Sequence, residues 1–344
     1  MKKQKGFLPA TIGAVAMLTL ILDSKTAILS ARAGAELCLQ TVIPSLFPFF
    51  VLSGAVSSSL LGREIKVLRP IGRLCRIPKG SETLLLLGFL AGYPVGAQMV
   101  ADACRQGDLS IKDRNRMLGF CCNAGPAFIF GMLSPLFRDK WVLWVLWAIH
   151  ICSALAVGIL LPGSSNGTVN IPKATSLSLA DSLRKGVKTM GLVCGWVVIF
   201  RVLLGFINGW ILWVLPVPFR VIVSGLLELS NGCVLLWKLP SEGMRFVVAD
   251  VFLSLGGLCV WMQTNSVTGP AGTGWYLPGK LLQSLLSLSV CLAVYGSASY
   301  AIAIGAVTVL TVLLIRKKLG IEKKTEMLYN TTNLSAKETG YVIS

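Results

Sequence analysis

The sequence predicts an all-α polytopic membrane protein, arranged as two inverted repeats that each carry a re-entrant helical hairpin. Three observations lead there. The chain is 54% hydrophobic and only 14% charged, whereas soluble domains carry about 25% charged residues. Apolar runs approach, again and again, the ~20 residues needed to cross a bilayer. Several of these runs are broken in the middle by Gly, Pro or Asn. In lipid, such backbone survives only where protein or a water-filled cavity supplies its hydrogen bonds.

Residues 1–25 open with Lys2, Lys3 and Lys5 ahead of an apolar run over 7–22. No small-residue cleavage site follows directly, so the segment reads as an uncleaved first helix with a cytoplasmic N-terminus. Residues 26–40 are mixed, with Arg32 and Glu36 spaced i, i+4, as on an interfacial or buried amphipathic helix. Residues 41–61 form the next span, and Pro44 and Pro48 should distort its first turns.

The stretch 84–100 carries no charge but holds Gly92-Tyr93-Pro94-Val95-Gly96 at its centre. Pro94 lacks an N–H and disfavours α geometry at Tyr93. The preceding loop is basic (Arg63, Lys66, Arg69, Arg73, Arg76, Lys79), and so is the following one (Arg105, Lys112, Arg114, Arg116). If both are cytoplasmic, the segment enters and leaves on one side, as a hairpin of half-helices over 82–91 and 94–104. Residues 117–137, interrupted at Asn123-Ala124-Gly125-Pro126, read as a broken span, and 141–161, with the sole histidine His150, as a plain one.

A Gly/Ser/Thr-rich linker covers 162–182. The second half repeats the order: a span over 186–207 carrying Arg201, an interfacial piece at 210–219, and a hairpin over 221–239 centred on Glu228-Leu229-Ser230-Asn231-Gly232. A span over 246–267 broken at Gly256-Gly257 and a plain span over 281–295 follow. The domain reading is a first repeat over 26–161, a second over 183–295, a last helix over 296–315 and a cytoplasmic tail over 316–344. That gives about eight spans and two hairpins, with both termini inside and half-helices meeting near the midplane. The inversion rests on loop charge, and Lys238 and Arg245 in the outer loops weaken it in the second half.

The net charge of +17 falls in short loops, as positive-inside orientation requires, so nucleic acid is not expected as a partner. Ten scattered cysteines form no C-x-x-C pair, and neither a disulfide framework nor a metal site is expected. No H-E-x-x-H, G-x-S-x-G or Walker A pattern occurs, so no enzyme activity and no cofactor are expected.

The candidate binding residues sit at the breaks. Half-helix N-termini present free N–H groups and positive partial charge, which suit a carboxylate. The ends near Tyr93–Gly96, Asn123, Asn231–Gly232 and Gly256–Gly257 would supply them. Tyr93, Gln98, Asn123, Gln263 and Asn265 would add hydrogen bonds, or would only cap broken backbone. Arg201 lies deep in an apolar span, where a charge costs roughly 2.5–3.5 kcal/mol on insertion scales. It reads as counter-charge for an anionic substrate, as a structural partner of Glu228 or Asp250, or as a side chain snorkelling toward an interface. Those two carboxylates read as coupling sites for a proton or sodium, or as structural charges. His150 reads as packed, with a proton-relay role as the alternative.

The segments 42–50 (VIPSLFPFF), Gly92-Tyr93-Pro94-Val95-Gly96, 122–129 (CNAGPAFI) and Glu228-Leu229-Ser230-Asn231-Gly232 resemble the nucleoside-recognition (Gate) domain membrane proteins, and among them the sporulation integral membrane proteins of spore-forming Firmicutes. The resemblance covers most of the chain, roughly 26–315. It implies a fold like that of concentrative nucleoside transporters, a place in the cell membrane or a forespore-surrounding membrane, and a role in spore formation. There it points to movement of a small anion, dipicolinate, by alternating access. A nucleoside carrier and a non-transporting structural component of the sporulation membrane stay open beside it, as does assembly into a homo-oligomer.

Overall fold

In a computed structural model the chain is described over residues 7–163, 169, 178–294 and the isolated positions 302, 304, 305, 308 and 312. The tail over 316–344, and most of the expected linker and last helix, lie outside the described residues. Every regular element among those described is helical. Five helical stretches are long and apolar enough to cross a membrane: Ser24–Leu60, Trp141–Leu160, Leu179–Trp210, Glu242–Ala271 and Tyr276–Val294. With the shorter apolar helices between them they make a multi-pass membrane protein.

Helix α1 (Phe7–Leu22) is apolar and its outer residues, Ile12 and Leu22 among them, stay exposed. Asp23 caps the N-terminus of α2 (Ser24–Leu37) by accepting from the Thr26 N–H. The sequence separates an amphipathic piece over 26–40 from a span over 41–61. The structure instead joins them into one continuous helix, α2 running through a π turn (Cys38–Val42) into α3 (Ile43–Leu60). The π turn takes up the register change before Pro44, whose missing N–H falls in the first turn of α3, where it costs little. Helix α2 packs through its small residues Ala27 and Gly34, which are buried. Gly34 lets it approach α10 (Leu179–Trp210) until an added Cβ would lie 3.0 Å from the Arg201 Cβ.

Both hairpins form. The first is α5 (Glu82–Leu90) and α6 (Val95–Arg105), the second α11 (Val217–Leu227) and α12 (Leu229–Leu235). Between the hairpin's base and the preceding span lies α4 (Arg69–Leu74). Each hairpin is closed by a glycine pair. An added Cβ on Gly88 or Gly96 would lie 2.2 Å from the Cys121 carbonyl oxygen. One on Gly232 would lie 2.2 Å from Gly225 Cα, and one on Gly225 would lie 2.1 Å from the Phe252 ring. In both halves the hairpin therefore closes tightly against its own broken span.

The first broken span is α7 (Ile111–Met117), an irregular stretch over 118–125, and α8 (Pro126–Leu133). The second is α13 (Glu242–Leu255) and α14 (Gly257–Thr268), hinged at Gly256 and Gly257, both at φ +75°. Only glycine takes such a conformation without strain. The plain spans are α9 (Trp141–Leu160) and α15 (Tyr276–Val294).

Two ends of the bundle are fixed by arginines, buried at one end and half-buried at the other. Arg114, 1% exposed, donates to the carbonyls of Thr268 (3.2 Å), Ala271 (3.3 Å) and Gly272 (2.7 Å), beyond the end of α14. Arg116 donates to the Cys75 carbonyl at 2.6 Å and to the Gly158 carbonyl, which closes the ends of α4 and α9. At the opposite end Arg245 donates to the Leu239 (3.1 Å), Trp237 (3.4 Å) and Leu136 (3.5 Å) carbonyls, collecting the ends of the second hairpin and of α8. These three side chains are not loop charges but caps for helix ends left without partners. At the first end Glu82 accepts from Arg69 (2.8 Å) and from the Gly80 N–H (2.9 Å). Nearby, in the loop, hydrogen bonding to Lys79 holds the Glu64 carboxyl below its ordinary range. The first hairpin thus begins at the end where Arg114 and Arg116 sit. The second finishes at the end where Arg245 sits.

Candidate functional site

The hairpin turns and the breaks come together. Gly92, at the first turn, has φ +83°, and an added Cβ would lie 3.2 Å from the Gly125 N. At the second hairpin an added Cβ on Gly257 would lie 2.9 Å from both the Gly225 and Leu226 carbonyl oxygens. Between the two sets lies a small, partly open cavity of about 30 Å³, room for a water or two. Tyr93, Gly125, Glu228, Ser230 and Gln263 line it, and Val42, Leu46, Val193 and Val197 of the long helices cover one side.

Each turn is held by hydrogen bonds that its own break makes necessary. Glu228 interrupts the second hairpin with extended backbone and caps α12. Its carboxylate accepts from the Ser230 N–H (3.1 Å), the Asn231 N–H (2.7 Å) and the Asn231 side-chain amide (2.6 Å). The α12 N-terminus thus already holds a carboxylate, one supplied by the chain itself. Tyr93 donates from its hydroxyl to the Leu253 carbonyl at 3.1 Å. That carbonyl belongs to the last turn of α13, where the Gly256 break leaves carbonyls without helical partners.

Behind Tyr93 lies a buried polar cluster. Asn123, at the first break, donates to the Phe120 carbonyl (2.7 Å) and accepts from Lys280 Nζ (2.9 Å). Lys280 also donates to Gln283 Oε1 at 2.6 Å, and its ammonium sits 5.2 Å from the centre of the Tyr93 ring. Gln283 donates to the His150 carbonyl (3.0 Å), and His150 Nε2 accepts from the Ala124 N–H (3.2 Å). Lys280, Gln283, Asn123 and His150 are each 0% exposed. Further along α15, Asp250 of α13 lies beside Ser287 and Cys291, and neither carboxylate oxygen makes a well-formed hydrogen bond.

The residues singled out from sequence divide into groups. Tyr93, Glu228 and Gln263 line the central cavity, Asn123 and Asn231 stand directly behind it, and Gly96 and Gly232 close the hairpins. Gln263 donates to the Cys259 sulfur at 3.3 Å. Gln98 lies elsewhere. It accepts from Thr189 (2.9 Å) in a separate cleft of about 580 Å³, where Asp102, Arg105, Lys185 and Lys188 gather. In that cleft Asp102 pairs with both Arg105 and Lys185. Asn265 is exposed, and its backbone carbonyl takes the Thr268 hydroxyl. Arg201 is half-buried on α10 against Gly34 of α2 and lines neither cavity. It pairs with neither Glu228 nor Asp250 among the described residues.

Lys280 and Gln283 are absent from the sequence reading. The predicted span begins at 281, one residue past Lys280. The signal that finds it is Pro278-Gly279, which belongs inside a helix starting at Tyr276 and carries Lys280 into its second turn. His150 is packed, as its apolar surroundings suggest, and caps the first break. Among the described residues no group of His, Cys, Asp and Glu is placed to hold a metal ion, and the ten cysteines are free thiols.

No family model matches the chain, so the Gate-domain resemblance gains no support there. The chain is similar to the sporulation integral membrane protein YlbJ of Bacillus subtilis (strain 168), at 24% identity over 298 residues, 72% of each chain. No solved structure matches.

Proposed function

We propose that this chain, similar over most of its length to a sporulation integral membrane protein, is a secondary transporter. It moves a small anionic metabolite, with dipicolinate as the first candidate, by alternating access. The observation that carries the reading is the meeting of two hairpin turns and two broken spans around one small cavity, lined mainly by apolar side chains with Tyr93, Glu228, Ser230 and Gln263 among them. Such backbone is costly in a bilayer and is kept where a solute path needs it. Residues 26–161 and 183–295 act as two inverted repeats, hinged at the breaks. Three features support this: the shared order of elements, the matching glycine pairs, and arginine caps at opposite ends. Glu228 and Asp250 are the candidate sites for a coupling proton or sodium.

One observation favours a second reading. Among the described residues the only charged side chain lining the small cavity is Glu228, which suits an uncharged polar solute such as a nucleoside better than an anion. Uptake into proteoliposomes separates the two. The full chain should accumulate labelled dipicolinate and not labelled uridine. Uridine uptake alone would move the assignment to a nucleoside carrier. Flux of neither solute would leave a structural role in the sporulation membrane as the better account.

A further inference from the structure

Lys280 is a buried amine held by neutral partners among the described residues. Its side chain is 0% exposed, and its two hydrogen-bond partners, Asn123 Oδ1 and Gln283 Oε1, are neutral. Among the described residues no carboxylate lies within 4.0 Å of it. Asp250 faces Ser287, about 10 Å further along α15 at 1.5 Å per residue. Glu228 is taken up by the α12 N-terminus. An ammonium has three N–H groups, and two are used here; the Tyr93 ring covers the ammonium at 5.2 Å. Tyr93 also lines the central cavity, so one aromatic side chain stands between the cavity and the charge.

Buried cations at membrane depth are rare and mark solute or ion pathways. A purely structural lysine would be expected to sit on a carboxylate or on the free carbonyls of a helix end, as Arg114, Arg116 and Arg245 do. Lys280 instead is held by two side-chain amides, one of them on the first break. The geometry points to Lys280 as the fixed charge that recognises a carboxylate of the transported solute, with Tyr93 screening it in the state seen here. Movement of the first hairpin turn carries Tyr93 aside. A carboxylate entering beside Asn123 then takes the third N–H, and the displaced ring offers an aromatic face to a planar solute. This inference rests on the transporter reading and names the residue that sets its preference for anions.

The test uses the full chain in proteoliposomes with labelled dipicolinate. Lys280→Met should lower uptake at least tenfold while the variant stays folded by size exclusion and thermal unfolding. Lys280→Arg, which keeps the charge, should retain a measurable part of the flux, with the loss showing mainly in KM. Competition against the unmodified protein needs no variant: pyridine-2,6-dicarboxamide, of similar shape but uncharged, should compete at least tenfold more weakly than unlabelled dipicolinate. Wild-type flux in Lys280→Met, or equal competition by the dicarboxamide, would overturn the role of Lys280 and leave transport standing. No dipicolinate flux in the unmodified protein would overturn both.

Discussion

Replacing Gly96 by alanine puts a methyl group where the protein has a carbonyl. The ideal Cβ lies 2.2 Å from the Cys121 oxygen, and 3.1 Å from Gly88 Cα. Real Cβ atoms essentially never approach closer than 3.0 Å, so the hairpin and the first broken span must part by about 0.8 Å. Both sides of the contact are backbone, and no flexible side chain can yield. Overpacking of this kind costs about 1–3 kcal/mol, and a backbone clash belongs at the upper end. Gly131→Ala is the matched control. Gly131 is an exposed helical glycine with nothing within 4 Å, and alanine there should be neutral or stabilising by up to about 1 kcal/mol. Thermal unfolding of the purified protein in detergent reads both variants. Gly96→Ala should unfold several degrees below the parent, and Gly131→Ala should not. Equal stability of the two would refute the close contact between the hairpin and its broken span.

Arg114→Met should destabilise the protein by about 3 kcal/mol or more, because it leaves the Thr268, Ala271 and Gly272 carbonyls without their charged donor; denaturation showing no loss would contradict its role as a cap. Glu228→Ala removes the acceptor for two backbone N–H groups and should cost about 0.5–2 kcal/mol, with Glu228→Gln losing less. An alanine variant as stable as the parent would show that the carboxylate does not cap α12. Cysteines introduced at Lys66 and Lys112, in a background with the exposed Cys152 replaced by serine, should react with an impermeant thiol reagent from the same side of the membrane. Reaction from opposite sides would rule out the first hairpin.

Backbone breakers are local signals, and what they report was legible. Gly92, Pro94, Asn123 to Pro126, Glu228 and Gly256 each mark a real interruption, where breakers cluster or a glycine takes positive φ, whereas the lone Pro48 stays inside α3. Tertiary facts were less legible. Arg114, Arg116 and Arg245 look like loop charges in sequence, since a guanidinium that caps distant helix ends has the same neighbours as one in water. Arg201 looked like the deepest charge because it sits within an apolar run, yet the run packs that face against α2. Lys280 falls outside the predicted span because hydropathy places helix boundaries at the last charge. Burial at depth depends on how far a helix extends, which here includes a Pro-Gly pair in its first turns.

The hydroxyl of Tyr93 resting on the Leu253 carbonyl has a kinetic meaning. In a carrier of the proposed kind the first hairpin turn cannot lift without unmaking that bond. The carbonyl it leaves behind sits where α13 has no N–H to offer. An unpaired buried acceptor costs about 1–3 kcal/mol, enough to slow an empty excursion by roughly five- to 150-fold. A solute that replaces the hydroxyl removes the penalty. The same bond then works as a rectifier for the cycle: it makes futile swings of the vacant protein rare and leaves loaded ones comparatively free.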